Sequence, residues 1–463
     1  MSWVFILLYL FIQLSISYWV SLRIKNEKDY FLAGRNMGVL PITFSLFATW
    51  FGAETCIGSS GAIYEMGLSG GRADPFGYTL NFLILGLFVA VPFWKGGYTT
   101  LADFYRQHFG SRLEKLSVWI MLPSSMVWAG AQVRAFGEVI HATSPISIEL
   151  ALTIAATFII IYSFLGGLMG DIISDVIQGT ILIVTITLIF ILVVSQIGGF
   201  EAAYNMIMAE PERLSLLRGD EHVIQRVDRW LIPVIGAVFT QELISRTLAA
   251  KNVSVARKAS FSAGLMYLAL GSVPAFLGLI GPKILPGLEN SETFLPLLAE
   301  KFLPGYLYIL FTGAMIAAIL STVDSIILAQ SALVTHNFLI PFFKIQNEKR
   351  KVHVARMTVV TAGIIAYLFA LSSDRIYDLV MMAESLGTAG IVVVTIIGMI
   401  YKKGDEWGAI SAMIVGFIAM PVYRDYLNLG APFFMSMASS LLVYVLVASR
   451  KYLPLKFKRG AVL

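Results

Sequence analysis

Ala48-Thr49-Trp50-Phe51-Gly52-Ala53-Glu54, running on to Gly58-Ser59-Ser60-Gly61, stands in the middle of an apolar segment covering residues 38–66. Small residues and a charge occupy the depth at which a membrane helix should be most apolar. Backbone that leaves the helical path inside a bilayer must line a cavity, because lipid offers no hydrogen bonds to freed carbonyls. The stretch therefore predicts an interrupted helix with a polar cavity beside it. The bland alternative is that the glycines only allow close helix packing.

The same theme returns at Gly236-Ala237-Val238-Phe239-Thr240-Gln241-Glu242, in the segment 228–250. Between these two lie hydrophobic segments near 75–94, 113–141, 146–165 and 168–197, so the interrupted helices stand five segments apart. They then cross in opposite directions, as two inverted repeats of five helices would require. Further segments lie near 2–22, 258–281, 303–337, 353–373, 376–401, 406–423 and 432–450, about thirteen in all. The first ends in a basic loop with no small-residue cleavage site, so it reads as a retained helix and not as a signal peptide.

Composition agrees with a polytopic α-helical membrane protein. The chain has 463 residues, 57% hydrophobic and 14% charged, and its mean hydropathy is +0.77. A soluble domain carries about 25% charged residues. The apolar runs approach the roughly 20 residues that span a bilayer as a helix and lack the alternation of barrel strands. A single cysteine, Cys56, excludes an intrachain disulfide, and five histidines without ligand spacing argue against a metal centre of the zinc type. No phosphate-binding GxxxxGK[ST] loop is present, which argues against ATP as the energy source.

Basic residues sort by alternate loops. One set holds Arg23, Lys25, Lys28, Arg35, Lys95, Arg106, Arg112, Lys115, Arg246, Lys251, Arg257 and Lys258. It continues with Lys344, Lys349, Arg350, Lys351, Arg356, Lys402, Lys403 and the tail from Arg450 to Arg459. Roughly 24 basic residues fall on this side against 9 on the other, with Arg134 inside a helix. The positive-inside rule makes this side cytoplasmic, so the N-terminus is expected outside and the C-terminus inside. The longest outside connection, Gly198–Gln225, has room for a short surface helix.

Ionisable residues inside spanning helices are costly and mark function or structural pairing. Here they are Glu54, Arg134, Glu138, Asp171, Asp175, Glu242, Asp324, Asp378 and Glu384. Arg134 has Glu54, Glu138 and Glu242 as candidate partners. A structural or interfacial role is the main expectation for Asp171, Asp378 and Glu384. The ninth segment reads Ala317-Ala318-Ile319-Leu320-Ser321-Thr322-Val323-Asp324-Ser325. Ser321, Asp324 and Ser325 share a helical face, with Thr322 beside them. Hydroxyls and a carboxylate together make the oxygen-rich cluster that a hard alkali cation needs. Back-bonding to the preceding turn would explain the hydroxyls alone but not a buried Asp324.

Three motifs in order now give a resemblance over nearly the whole chain. Tyr30-Phe31-Leu32-Ala33-Gly34-Arg35 is the first. Gly166-Gly167-Leu168 with Ser174-Asp175-Val176-Ile177-Gln178 is the second, and Ala317-Ala318-x-x-Ser321-Thr322 the third. Together they resemble the sodium:solute symporter family, and the first segments look most like its high-affinity choline transporter-like members. Ala48-Thr49-Trp50, Ala62-Ile63-Tyr64, Pro75-Phe76-Gly77-Tyr78 and Lys95-Gly96-Gly97-Tyr98-Thr99-Thr100-Leu101 carry that last likeness.

The resemblance implies a LeuT-like fold. One transmembrane domain would fill 1–463, with an extra N-terminal helix and loop at 1–37 and C-terminal helices at 402–463. The repeats would fall at 38–197 and 226–401. It also implies a sodium site from the carbonyls of Ala48, Phe51 and Ala318 and the hydroxyls of Ser321 and Thr322. Asp175 matches the aspartate of a second sodium site, with Ser321, Asp324 and Ser325 as partners. Two nearby carboxylates repel unless a cation or a proton intervenes. Trp50, Tyr78 and Trp128 match an aromatic cage for a quaternary ammonium. Thr240 replaces the cage's remaining tryptophan, while Glu54 and Glu242 add acids where choline proteins are neutral, so a smaller or more polar cationic or zwitterionic solute is expected.

The resulting expectation is a multi-pass protein of the cell (inner) membrane that couples Na+, one or two ions, to uptake of a small organic solute by alternating access. Its partners would be that solute and the lipid bilayer, with no nucleic acid, no organic cofactor and no enzymatic chemistry. The alternatives are proton coupling through Asp175 or Asp324, a membrane transferase, or a non-transporting sensor. A transferase would need a nucleophile or metal constellation that the sequence lacks. A sensor usually carries an appended signalling domain, and this chain ends soon after its last segment.

Overall fold

The computed structural model describes residues 2–450 except 53, 143, 220, 373–378, 380–382, 384–387 and 402. Asp378, Glu384, Lys402 and the tail beyond Arg450 therefore lie outside the described residues, as does most of 376–388. Among the described residues the chain is helical throughout, with one isolated bridge where Met37 meets Ala250.

The elements run in order. They begin with α1 (Ser2–Ser21), α2 (Glu27–Leu32), α3 (Val39–Trp50), α4 (Ser60–Met66), α5 (Tyr78–Ile84) and α6 (Ala90–Gly96). Next come α7 (Leu101–His108), α8 (Ser111–Ala142), α9 (Ile148–Gln196), α10 (Gly199–Met208), α11 (Val223–Leu231) and α12 (Gln241–Ala249). The chain continues with α13 (Val253–Ile284), α14 (Phe294–Phe302), α15 (Gly305–Val334), α16 (Ile340–Phe342), α17 (Glu348–Ser372), α18 (Ala389–Ile400), α19 (Glu406–Pro421) and α20 (Pro432–Ser449). By length and composition, nine helical stretches among the described residues are long and apolar enough to cross a membrane. The Gly198–Gln225 connection carries the ten-residue α10.

The 49 residues of α9 would run about 74 Å as one rod, more than twice a hydrocarbon core of about 30 Å. Gly167 divides it, with φ 52° and ψ −166°. Only glycine adopts this conformation readily, and a Cβ there would come within 2.7 Å of the Tyr30 carbonyl oxygen. The Tyr30 hydroxyl donates to the Ser163 carbonyl at 3.0 Å. The loop after α1 and the double glycine thus lock together. In α15 every residue from Met315 to Leu333 is buried. It packs against α3, α8, α9 and α12 and carries the hydroxyl and acid cluster into the centre.

A second polar knot closes the face that bears Lys28, Arg35 and Lys95. His336, just past α15, stands between two carboxylates. Its Nδ1 is 2.5 Å from Glu27 and its Nε2 is 3.2 Å from Asp103, so both nitrogens donate and the ring is an imidazolium. Asn337 donates to Asp103 and Glu114, each at 2.9 Å. Burial alone would raise the Asp103 carboxyl, but the hydrogen bond and charge of His336 outweigh it and hold it at about 2. Stability from a depressed carboxylate is present above the unfolded value of about 3.9 and is lost as pH falls through the folded value. His336→Gln should therefore lower the melting temperature at neutral pH, by about 1–3 kcal/mol of stability. The gap to wild type should narrow as the pH drops below about 4.

Candidate functional site

The chain leaves the helix at the end of α3. Phe51 takes φ −83° and ψ 72°, and the Gly52 amide donates to the Trp50 carbonyl at 3.0 Å. In an uninterrupted helix that amide would close onto Ala48. Helical bonding resumes with Cys56 N–H on the Gly52 carbonyl at 3.3 Å. The break abuts α15. A Cβ on Gly52 would lie 2.6 Å from Thr322 Oγ1 and 3.7 Å from the Ala318 carbonyl oxygen. The second interruption lies between a π-turn at Ile232–Gly236 and α12, where Ile244 N–H donates to the Thr240 carbonyl at 3.2 Å.

Ala48, Phe51, Ala318, Ser321 and Thr322 are all buried where α3 meets α15. Thr322 Oγ1 donates to the Ala318 carbonyl at 3.2 Å, and Ser321 Oγ donates to Asp175 Oδ1 at 2.5 Å. Both hydroxyl protons are thereby directed away, which leaves each oxygen with lone pairs to offer a cation. Back-bonding within α15 accounts for Thr322 and for Ser325, which donates to the Ser321 carbonyl at 2.5 Å. Ser321 instead turns to the acid.

Around Asp175 the structure corrects the expectation from sequence. Arg246, assigned above to a cytoplasmic loop, is 0% exposed in α12 and lies among the acids. Its Nε donates to Ser45 Oγ at 2.8 Å. Its Nη2 donates to Asp171 and Ser325 and sits 3.7 Å from Asp175 Oδ2. Ser45 Oγ in turn donates to Asp175 Oδ2 at 2.5 Å. Asp171 is thus the ion-pair partner of Arg246. Asp324 turns the other way, accepting from Ser163. The positive charge expected near Asp175 is in part a side chain of the protein, and its position inside the 228–250 segment was the available signal.

A cavity of about 140 Å³ opens beside the first break, lined by Trp50, Glu54, Tyr78, Trp128, Thr240 and Phe433, among others. Trp50 meets Tyr78 and Trp128 edge to face, with centroids 4.5 and 6.0 Å apart. The Tyr78 hydroxyl donates to Glu54 Oε1 at 3.0 Å. Glu242 lines an adjoining cavity of about 80 Å³ that shares Trp128 and Thr240, where Gln330 donates to it at 3.1 Å. Of its three candidate partners, Arg134 bonds Glu138, at 2.8 Å. One contributor, Phe433, is not legible in the sequence.

The sodium:solute symporter family model matches residues 30–416. The chain belongs to that family. It is 26% identical to the high affinity choline transporter 1 of Homo sapiens, over 92% of this chain and 77% of that one. It is also 26% identical to the sodium/glucose cotransporter of Vibrio parahaemolyticus, over 95% and 88%. A Na+-coupled sialic acid symporter, solved substrate-bound and outward-open, superposes with a TM-score of 0.85 at 19% identity, over 97% of this chain and 96% of that one. A nucleobase-cation-symport-1 family transporter superposes with a TM-score of 0.61 at 12% identity, over 91% and 94%. The symporter thus has the LeuT-like helical fold.

Proposed function

We propose that the chain is a sodium-driven symporter of a small organic cation, with its N-terminus outside and its C-terminus inside. Thirteen crossings would follow if α9 crosses twice at the Gly167 hinge and Glu54–Gly96 contributes to two passes. The inverted repeats would fall at 38–197 and 226–401. The observation that carries the sodium site is the Gly52 amide diverted to the Trp50 carbonyl, at a residue packed on Thr322 and Ala318, which frees main-chain oxygen beside hydroxyls whose protons point elsewhere.

Charge balance supports a bound cation. Arg246 is the one basic side chain that pairs with Asp171 and approaches Asp175 among the described residues, so the buried acids hold more negative charge than it offsets, and Asp175 is joined to the sodium site through Ser321. A sodium held by Ala48, Phe51, Ala318, Ser321 and Thr322 would neutralise the cluster and tie α3 to α15. Asp175, Asp324 and Ser325 remain the candidates for a second ion, with Arg246 offsetting part of the charge there.

In this account sodium favours the state in which α3 and α15 touch. The solute, held by Trp50, Tyr78 and Trp128 with Glu54 as counter-charge, favours closure over both, so each ligand strengthens the other. Inward movement of one charge across 100 mV supplies about 2.3 kcal/mol. Glu242, in the adjoining cavity, would meet the solute on its way inward. The test is uptake of a panel of protonated amines into proteoliposomes. Accumulation should require an inward sodium gradient at fixed pH. Equal uptake when potassium replaces sodium, with dependence on a pH gradient instead, would make a proton the coupling ion.

A further inference from the structure

Beyond the aromatic cavity the molecule holds a larger one, of about 810 Å³, on the face that carries Asn290 and Ser291. Its lining includes Glu54, Glu65, Asp74, Glu138, Glu289 and Glu292. Among the described residues only Glu138 of these six makes an ion pair, with Arg134. Burial raises the Glu292 carboxyl, with Glu138 and Glu65 adding to the effect, so these acids feel one another. Glu54 belongs to both cavities and marks the passage between them.

Asp74 lines this vestibule too, 3% exposed. Its Oδ2 accepts hydrogen bonds from Thr55 Oγ1 at 2.5 Å and from the Tyr267 hydroxyl at 3.0 Å. Its Oδ1 has no hydrogen-bond partner. A buried carboxylate oxygen without a donor is costly, and no basic side chain among the described residues reaches Asp74 or Glu54 to offset the charge. The two hydroxyls fix one oxygen of Asp74 and leave the other for a donor from outside the protein.

We propose that Asp74 and Glu54 form a vestibule site for an organic cation that carries N–H groups, a protonated amine or a guanidinium, ahead of the aromatic cavity. This deepens the symport reading and rests on it. Aromatic rings hold any cation by its charge, but a quaternary ammonium has no proton to give Asp74 Oδ1. The pair of acids therefore selects for N–H and against full methylation.

Calorimetric titration of the purified full chain in sodium buffer tests this with putrescine, an ammonium at each end, and with its fully methylated bis-quaternary analogue. Putrescine should bind at least tenfold tighter than the analogue. Asp74→Asn should weaken putrescine at least tenfold and narrow that gap, while sodium stabilises the variant as it does the wild type. Equal binding of the two probes by wild type overturns the site, and this comparison needs no variant. Putrescine binding unchanged in Asp74→Asn overturns it as well. Loss of the sodium response in the wild-type chain would instead count against the symport reading.

Discussion

Replacing Arg246 with methionine should destabilise the symporter by about 3–5 kcal/mol, because it leaves buried acids without their counter-charge. The guanidinium is fully buried and joins four helices by contacting Ser45 on α3, Asp171 on α9, Ser325 on α15 and the Glu242 carbonyl on α12. Methionine fills much of the volume and offers none of the five N–H donors. The loss should appear as a sharply lower melting temperature in detergent and poor recovery of folded protein. Adding Asp171→Asn should restore part of the stability, since it removes the acid that Arg246 bonds. Wild-type melting in the single variant would mean that the cluster is held neutral by protons alone.

Gly52→Ala should abolish most sodium binding while leaving the fold in place. The new methyl would sit 2.6 Å from Thr322 Oγ1, so the threonine must turn or α3 must withdraw from α15. Overpacking of this kind costs about 1–3 kcal/mol of stability. Displacing one hydroxyl ligand should cost sodium affinity at least about tenfold, or about 1.4 kcal/mol. Gly313→Ala on α15 is the matched control, because no atom lies within 4 Å of its Cβ position. Sodium titrations of melting temperature on both variants separate the outcomes. An unshifted sodium midpoint in Gly52→Ala would remove Thr322 from the site.

Hydropathy located the helices well because lipid imposes the same requirement on every crossing. The apolar runs near 113–141, 258–281 and 432–450 correspond to α8, α13 and α20. The break at 146–165 and 168–197 is subtler, since the helical ladder continues and Gly167 alone turns it. Side-chain pairing was less legible. Arg246 was counted as a loop cation because basic residues cluster after it at Lys251, Arg257 and Lys258. Its burial depends on acids 71 and 75 positions earlier, Asp175 and Asp171, a relation no local pattern encodes. Glu54, Trp50 and Tyr78 were legible as a group because a charge at mid-depth needs a cavity. Asp74 was not, because it stands at a segment edge where acids are unremarkable, and only the packing of Thr55 and Tyr267 places it in the interior.

The most direct test is a calorimetric sodium titration of the purified wild-type chain in a potassium background. The account predicts a saturable heat for one ion per chain, lost in Ser321→Ala and Thr322→Ala and enhanced when a bound amine is present. No heat above that of a matched potassium injection, together with solute binding indifferent to the salt, would contradict it.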